Sequence, residues 1–289
     1  MDPTAVLGLG NMGAGMACRL LAAGFPVTVY NRSPAKAAAL VTGGAVLAKT
    51  PAEAVAGARA VLVSLGDEAA VEQVLFGQAL PALTAGQVVI DTSTVSPTFA
   101  RAAAARLVGA GLRRVEACVL GNPHQARAGE LRVLAAGAPE DVESVRDLLD
   151  VLGREVRYVG PPGNGASTKL VFNLLLGAQL AALAEAVSYG VGAGLDRELL
   201  LSAIEHSGFS SRVLAFRAAL MREARYEPAA FRARLMAKDL DLVTREAAAL
   251  GVELPVTTRA AERFAEVVAA GLGDLDAAVI GAATVAVER

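Results

Sequence analysis

The chain has 289 residues, of which 54% are hydrophobic and 19% charged, and its formal net charge is −2. This length suits one large domain or two ordinary ones, and the apolar share excludes intrinsic disorder as the main state. A near-neutral charge without Lys or Arg runs argues against nucleic acid and membrane surfaces as partners. The two cysteines and two histidines lack the spacing of a disulfide framework or a metal site.

The first half of the chain alternates strand-like and helix-like segments. The predicted strands cover residues 5–9, 26–30, 60–65, 88–91 and 155–159, and the predicted helices 12–23, 35–41, 68–74 and 98–110. Strands separated by helices require crossover connections. The first half is therefore predicted to be a doubly wound parallel sheet with helices on both faces.

The second half is predicted to be entirely helical. Its helices cover residues 166–192, 197–206, 213–222, 234–249 and 255–270. We therefore expect an α/β domain over residues 1–160 and an all-α domain over residues 161–289, joined by the long helix that starts near Ala166. Lys169, Asn173, Gln179 and Glu185 interrupt this apolar helix, which predicts a buried core helix rather than a membrane span. The start of the chain lacks a signal-peptide pattern, so the cytoplasm is the expected compartment.

A glycine motif lies between the first predicted strand and the first predicted helix. Its residues are Gly8, Leu9, Gly10, Asn11, Met12 and Gly13. In such a motif the first glycine permits a tight turn, the second admits a pyrophosphate and the third allows close packing. The following helix N-terminus offers N–H groups and a partial positive charge to the phosphates. The context predicts a Rossmann-type domain that binds a dinucleotide.

The end of the second predicted strand selects between NADPH and NADH. An acidic residue there would bind the ribose 2′-hydroxyl of NADH, but the sequence has none between Asn31 and Lys36. Arg32 can pair bidentately with a 2′-phosphate, and Ser33 and Lys36 can add to that contact. We therefore predict NADP as the cofactor, with NADPH preferred over NADH.

Three further motifs carry polar side chains. The segment from Asp91 to Pro97 reads Asp-Thr-Ser-Thr-Val-Ser-Pro and follows a predicted strand, where the nicotinamide end of the cofactor would lie. Lys169 and Asn173 are four residues apart on the long helix and so share one face. A Lys-Asp-Leu triplet starts at Lys238 in a later helix.

Together these motifs resemble the β-hydroxyacid dehydrogenase family, which includes 3-hydroxyisobutyrate dehydrogenase and the glyoxylate and succinic semialdehyde reductases. The resemblance covers essentially the whole chain and implies a C-terminal domain like that of 6-phosphogluconate dehydrogenase. It also implies that Lys169 is the general acid/base, that Asn173 orients the substrate and that Lys238 lies near the nicotinamide. The predicted cofactor-binding set is Gly8, Leu9, Gly10, Asn11, Met12, Gly13, Asn31, Arg32, Ser33, Lys36, Leu65, Thr94 and Lys238.

One motif departs from the family pattern. The family usually has Asp/Glu-Ala-Pro-Val-Ser-Gly-Gly, whose Ser and Gly residues hold the substrate carboxylate, whereas this chain has Glu-Ala-Cys-Val-Leu-Gly-Asn from Glu116 to Asn122. Leu120 cannot donate a hydrogen bond and favours a more apolar or uncharged substrate. The backbone of Gly121 and Asn122 remains a candidate anion contact. The predicted substrate-binding set is Ser93, Leu120, Gly121, Asn122, Lys169 and Asn173.

These observations favour an NADP(H)-dependent oxidoreductase that transfers hydride between nicotinamide and a small aldehyde, keto acid or β-hydroxyacid. One alternative is an imine reductase-like enzyme acting on an apolar substrate, although Lys169 counts against it. Another is a catalytically inactive NADP-binding sensor or scaffold. The apolar second half predicts a homodimer or homotetramer, and no metal is predicted.

Overall fold

The computed structural model describes residues 1–283, and these residues form one mixed sheet and a set of helices. The strands are β1 (Thr4–Leu7), β2 (Val27–Tyr30), β3 (Val46–Leu47), β4 (Ala60–Val63), β5 (Val88–Asp91), β6 (Arg113–Leu120), β7 (Leu131–Ala136) and β8 (Gly153–Gly160).

The helices fall between the strands in the first half and follow one another in the second. In the first half they are α1 (Asn11–Ala22), α2 (Ala38–Thr42), α3 (Pro51–Val55), α4 (Glu68–Val71), α5 (Pro97–Gly109), α6 (Pro123–Ala128), α7 (Pro139–Ser144) and α8 (Arg146–Leu152). In the second half they are α9 (Asn164–Gly192), α10 (Arg197–Glu205), α11 (Arg212–Arg222), α12 (Ala233–Ala249), α13 (Pro255–Val267) and α14 (Ile280–Ala283). The predicted helix over residues 68–74 is α-helical only to Val71 and continues as a π-helical segment over Glu72–Ala79.

The sheet has the strand order β3-β2-β1-β4-β5-β6-β7-β8. Neighbouring strands are parallel except β6 and β7, which are antiparallel. The prediction of a doubly wound sheet with helices is therefore confirmed, but the sheet is mixed rather than wholly parallel. The short α6 connection explains the difference, because parallel neighbours need a longer crossover.

The chain divides into two compact units, Met1–Lys169 and a second that begins at Leu170. The division lies inside α9, whereas the sequence placed the domain boundary at residue 160, before this helix. In the first unit apolar clusters cover both faces of the sheet, one including Val6 and Leu62 and the other Leu7 and Val63. In the second unit a separate helical core includes Phe264 and Leu201.

Helix α9 is apolar along most of its length. Among the described residues it is the one helix long and apolar enough to cross a membrane by length and composition, and 39% of its most apolar window is buried. Leu180, Leu183 and Val187 pack into the core of the second unit. A Cβ on Gly177 would lie 2.8 Å from the Leu240 side chain, so α9 and α12 are in close contact there. This packing is that of a core helix.

Candidate active site

The glycine motif forms a tight turn between β1 and α1. Gly8 has φ +100°, and a Cβ there would overlap the backbone oxygen of Ser64. A Cβ on Gly13 would overlap the backbone oxygen of Gly8, whereas a Cβ on Gly10 would meet no atom within 4 Å. The first and third glycines are therefore required by packing, and the second leaves open space at the start of α1. That space, together with a helix N-terminus without a side-chain cap, fits a dinucleotide pyrophosphate.

The end of β2 supports this turn and carries exposed basic residues. The Asn31 side chain accepts a hydrogen bond from the Leu9 N–H at 2.9 Å and donates to the Ser33 carbonyl at 3.1 Å. Asn31 therefore stabilises the glycine turn through its hydrogen bond with Leu9. Arg32, Ser33 and Lys36 are exposed, and neither basic side chain forms an ion pair with another described residue.

The ends of β4 and β5 are joined through one hydroxyl group. Ser93 Oγ accepts a hydrogen bond from the Leu65 N–H at 3.0 Å, and the Ser93 N–H donates to Asp91 Oδ1 at 2.9 Å. Ser96 caps α5 by accepting from the Phe99 N–H. The Ser93 hydroxyl, which the sequence assigned to substrate contact, therefore also holds the Leu65 backbone in place. Thr94 follows directly on this loop.

Lys169 lies in the second turn of α9 and reaches the end of β6. Its ammonium donates a hydrogen bond to the Val119 carbonyl at 2.9 Å. The side chain is partly buried. An ammonium has three N–H donors, so it can hold this carbonyl and also contact a substrate oxygen.

Asn173 is held by a residue to which the sequence assigned no role. Its Nδ2 donates to Asp239 Oδ2 at 2.6 Å, and the other oxygen of Asp239 lies 2.9 Å from Lys238 Nζ. Asn173 and Asp239 are buried. Asp239 therefore links the predicted substrate-orienting amide on α9 to the predicted nicotinamide-contacting lysine on α12. Its place in the Lys-Asp-Leu triplet was the signal that could have found it.

The motif that departs from the family pattern lies at the end of β6, and its last residue forms hydrogen bonds with the start of α6. Asn122 caps α6 in a capping box, where Asn122 Oδ1 accepts from the Gln125 N–H at 3.0 Å and the Asn122 N–H donates to Gln125 Oε1 at 3.1 Å. The Asn122 N–H that the sequence offered to a substrate anion is thus bonded internally. Leu120 is partly buried and presents an apolar side chain, and His124 is exposed.

Cys118 is buried next to these residues. Burial raises the pKa of its thiol to about 12, and the nearby Glu116 carboxylate adds to the increase. Cys118 is therefore a protonated, inert thiol at neutral pH. Within residues 1–283 no group of three or more His, Cys, Asp or Glu side chains could hold a metal ion.

A sheet with a glycine phosphate turn at its first crossover, followed by a helical unit, defines an NAD(P)-binding oxidoreductase of the Rossmann type. Comparison with known proteins gives the same class. Residues 3–160 match the NAD binding domain of 6-phosphogluconate dehydrogenase, and residues 163–283 match the NAD-binding domain of NADP-dependent 3-hydroxyisobutyrate dehydrogenase.

Similar proteins cover nearly the whole chain. Glyoxylate/succinic semialdehyde reductase 1 of Arabidopsis thaliana is 34% identical over 93% of this chain and 94% of its own length. The crystal structure of a 3-hydroxyisobutyrate dehydrogenase from Salmonella typhimurium superposes with a TM-score of 0.90 at 29% identity, over 97% of this chain and 99% of that one. The chain belongs to the β-hydroxyacid dehydrogenase family.

Two further structures bear on cofactor and fold. Psf3, solved in complex with NADP+ and 2-OPP, has a TM-score of 0.86 at 28% identity over 97% of this chain and 99% of that one. An imine reductase from Pseudomonas sp. has a TM-score of 0.63 at 23% identity, over 96% of this chain and 98% of that one. The imine reductase is a more distant neighbour and shares the fold.

Proposed function

We propose that this protein is an NADP(H)-dependent reductase of small aldehydes or keto compounds, reversible as a hydroxyacid dehydrogenase, in which Lys169 is the general acid/base. The observation that carries the proposal is the pair of polar side chains on α9. Lys169 is tethered to the Val119 carbonyl, and Asn173, one turn further on, is fixed by buried Asp239. Both polar side chains interrupt a helix that is otherwise largely apolar.

The proposed reaction divides the work between cofactor and protein. Bound NADPH supplies the hydride. The Lys169 ammonium donates a hydrogen bond to the substrate carbonyl oxygen, stabilises the negative charge that develops there and then gives that oxygen its proton. Asn173 holds the substrate in the orientation for transfer, because its own rotamer is fixed by the Asp239 carboxylate.

The preference for NADPH rests on the end of β2. Arg32 and Lys36 are exposed there, four positions apart in the chain, and the segment has no carboxylate to bind a 2′-hydroxyl. A guanidinium matches the geometry of a phosphate dianion, which NADH lacks. The NADP+ in the complex of Psf3 agrees with this choice of cofactor.

The substrate is proposed to be uncharged where it meets the end of β6. Leu120 offers no donor, and the Asn122 N–H is already bonded to Gln125. Burying an anion against such a surface is costly. Butanal and succinic semialdehyde test this point, since they differ only in a methyl group replaced by a carboxylate. The Leu120→Ser variant is expected to improve succinic semialdehyde relative to butanal by about tenfold in kcat/KM, and an unchanged ratio would contradict the proposal.

The activity itself is tested by a screen for NADPH consumption with aldehydes, keto acids and cyclic imines, and for NADP+ reduction with hydroxyacids. Turnover of a carbonyl or hydroxyacid that Lys169→Ala abolishes, while the exposed control Lys49→Ala retains it, is the expected result. Turnover of imines alone would instead identify an imine reductase. Tight NADPH binding without any turnover would identify a sensor or scaffold.

We also propose a homodimer or homotetramer in the cytoplasm, with a small-molecule substrate and neither nucleic acid nor membrane as partner. Support for the oligomer comes from exposed apolar side chains on α9, including Val171, Phe172 and Leu175. The packing of α9 into a helical core supports the absence of a membrane partner for this helix. Light scattering during size exclusion tests the oligomer, and a monomer of the chain's own mass would contradict it.

A further inference from the structure

A buried arginine with two carboxylate partners lies under the start of α9. Arg114 Nη2 is 2.9 Å from Asp91 Oδ2, and Arg114 Nη1 is 3.1 Å from Glu116 Oε1. The Arg114 side chain is 2% exposed, and its partners are 1% and 3% exposed. We call Asp91, Arg114 and Glu116 the Arg114 cluster. The pKa of Arg114 is raised by the two carboxylates against the opposing effect of burial, so it stays charged.

Each carboxylate of the Arg114 cluster also holds the backbone of a segment that carries predicted site residues. Glu116 Oε1 accepts a hydrogen bond from the Gly163 N–H at 2.6 Å, and Glu116 Oε2 accepts from the Ala166 N–H at 3.0 Å. Gly163 directly precedes α9, and Ala166 lies in its first turn, three residues before Lys169. Asp91 Oδ1 accepts from the Ser93 N–H at 2.9 Å.

We propose that Glu116, held in place by Arg114, is a positioning residue that sets the location of the Lys169 ammonium. This inference rests on the proposed function, since it assigns Glu116 a role in the same reaction. The first turn of α9 is anchored to β6 by Glu116, and Lys169 returns to the same strand through the Val119 carbonyl. Two residues of one strand therefore hold the first turn of α9 and the Lys169 side chain that follows it.

The position of Glu116 at the start of α9 explains why a carboxylate is found there rather than a neutral group. The first N–H groups of a helix lack intrahelical acceptors, and a carboxylate there also interacts favourably with the helix dipole. Gly165 brings the helix close enough, because a Cβ there would lie 2.8 Å from Glu116 Oε2 and 3.1 Å from Glu116 Cβ. A buried ion pair alone is weak support for stability. A positioning role explains why the charged group is placed against this particular helix.

Two substitutions disturb the anchor in different ways. In Glu116→Gln one carboxylate oxygen is replaced by an NH2 group. This group cannot accept the hydrogen bond that a backbone N–H donates to the carboxylate. Gly165→Ala keeps every charge but pushes the start of α9 away from Glu116. Misplacing a catalytic group by about 1 Å costs about 100-fold in rate. Both variants are therefore expected to lower kcat by about tenfold to 100-fold, to leave the Kd for NADPH within about twofold, and to raise the isotope effect on kcat with deuterated NADPH.

Two matched controls separate positioning from general destabilisation. Asp276→Asn weakens another buried pair, in which Asp276 binds Arg217 and also accepts backbone N–H groups, including that of Ala230. Gly192→Ala adds a methyl group at the other end of α9, where no atom lies within 4 Å. Both controls are expected to keep kcat at assay temperatures where they remain folded. A kcat for Glu116→Gln and Gly165→Ala equal to that of the controls would overturn the inference.

Hydrogen exchange tests the anchor without any assay of turnover. In Glu116→Gln the amides from Ala166 to Lys169 are expected to exchange about tenfold faster or more, while the amides of the α9 segment around Leu183 do not change. Unchanged exchange at Ala166 would overturn the inference even if no substrate were found. Absence of turnover in the unaltered protein would contradict the proposed function instead.

Discussion

The two proposed sites, at the glycine turn of residues 8–13 and at the polar residues of α9, are built by different means. The glycine turn works through its backbone, since the first and third glycines are packed against neighbouring backbone and the second leaves open space. On α9, the proposed site residues Lys169 and Asn173 are side chains whose hydrogen-bond partners, Val119 and Asp239, are distant in sequence. A site built from backbone groups depends on residues that are adjacent in sequence. A site built from side chains depends on partners that are distant in sequence and that the fold brings into contact.

The largest expected effect concerns the glycine turn. Gly13→Ala should weaken NADPH binding by about 100-fold or more and lower the Tm, because its Cβ would overlap backbone. Gly10→Ala should also weaken NADPH binding but keep the Tm, since its Cβ points into open space. Titration calorimetry and thermal unfolding of the two variants measure both quantities. Wild-type NADPH affinity in Gly10→Ala would show that this space does not receive the pyrophosphate.

The next effect concerns α9. Asp239→Ala removes the charged acceptor of the Asn173 amide, and a buried charged hydrogen bond of this kind contributes about 1.5–3 kcal/mol. We expect kcat/KM for the carbonyl substrate to fall by about tenfold to 150-fold. Asp241→Ala on the same helix, where the carboxylate is exposed and pairs with Arg245, is the control. Equal activities of the two variants would mean that Asp239 does not orient Asn173.

A smaller effect is expected from Arg32→Ala at the end of β2. Loss of a charged contact with the 2′-phosphate should lower kcat/KM for NADPH by about tenfold to 30-fold and leave kcat/KM for NADH unchanged. Steady-state kinetics with both cofactors at fixed substrate give the ratio. An equal loss with NADPH and NADH would place the 2′-phosphate away from Arg32.

The smallest effect concerns the pH dependence of stability. The pKa of the buried Cys118 thiol is raised from 9.0 to about 12, so the folded protein keeps a proton that the unfolded chain loses above pH 9. The stabilisation is complete below pH 9 and is lost as the pH rises towards 12. In that range the free energy of unfolding should fall with pH more steeply in the unaltered protein than in Cys118→Ala. The two slopes should differ by up to about 1.4 kcal/mol per pH unit. Urea unfolding at several pH values measures the slopes, and parallel slopes would contradict this assignment.

The contrast between the two regions also explains what the sequence could predict. The glycine turn, strands β1, β2, β4 and β5, and the long helix follow from local patterns, and the structure confirms the Rossmann-type sheet with its helical second unit. The short β3 and α3 between β2 and β4 were not predicted. The antiparallel β7 was not predicted, because strand direction within a sheet depends on neighbours rather than on local pattern.

The supporting residues of the site were the hardest to find. Arg114 is buried against Asp91, 23 positions earlier. Asp239 lies 66 positions from Asn173. Such contacts are determined by tertiary packing, and nothing in the spacing of a single sequence indicates them. The capping box of Asn122, which was not predicted, does have a local signal, because an Asn three residues before a Gln is a typical helix start.

We propose above all that the Lys169 ammonium supplies the proton in a reduction by NADPH. Its most direct test is a single-turnover measurement of NADPH oxidation with saturating substrate, in the unaltered protein, in Lys169→Ala and in Lys169→Ala with added small primary amines. We expect a loss of about 1,000-fold in Lys169→Ala and partial recovery that increases with amine concentration. A Lys169→Ala rate equal to that of the unaltered protein would contradict it.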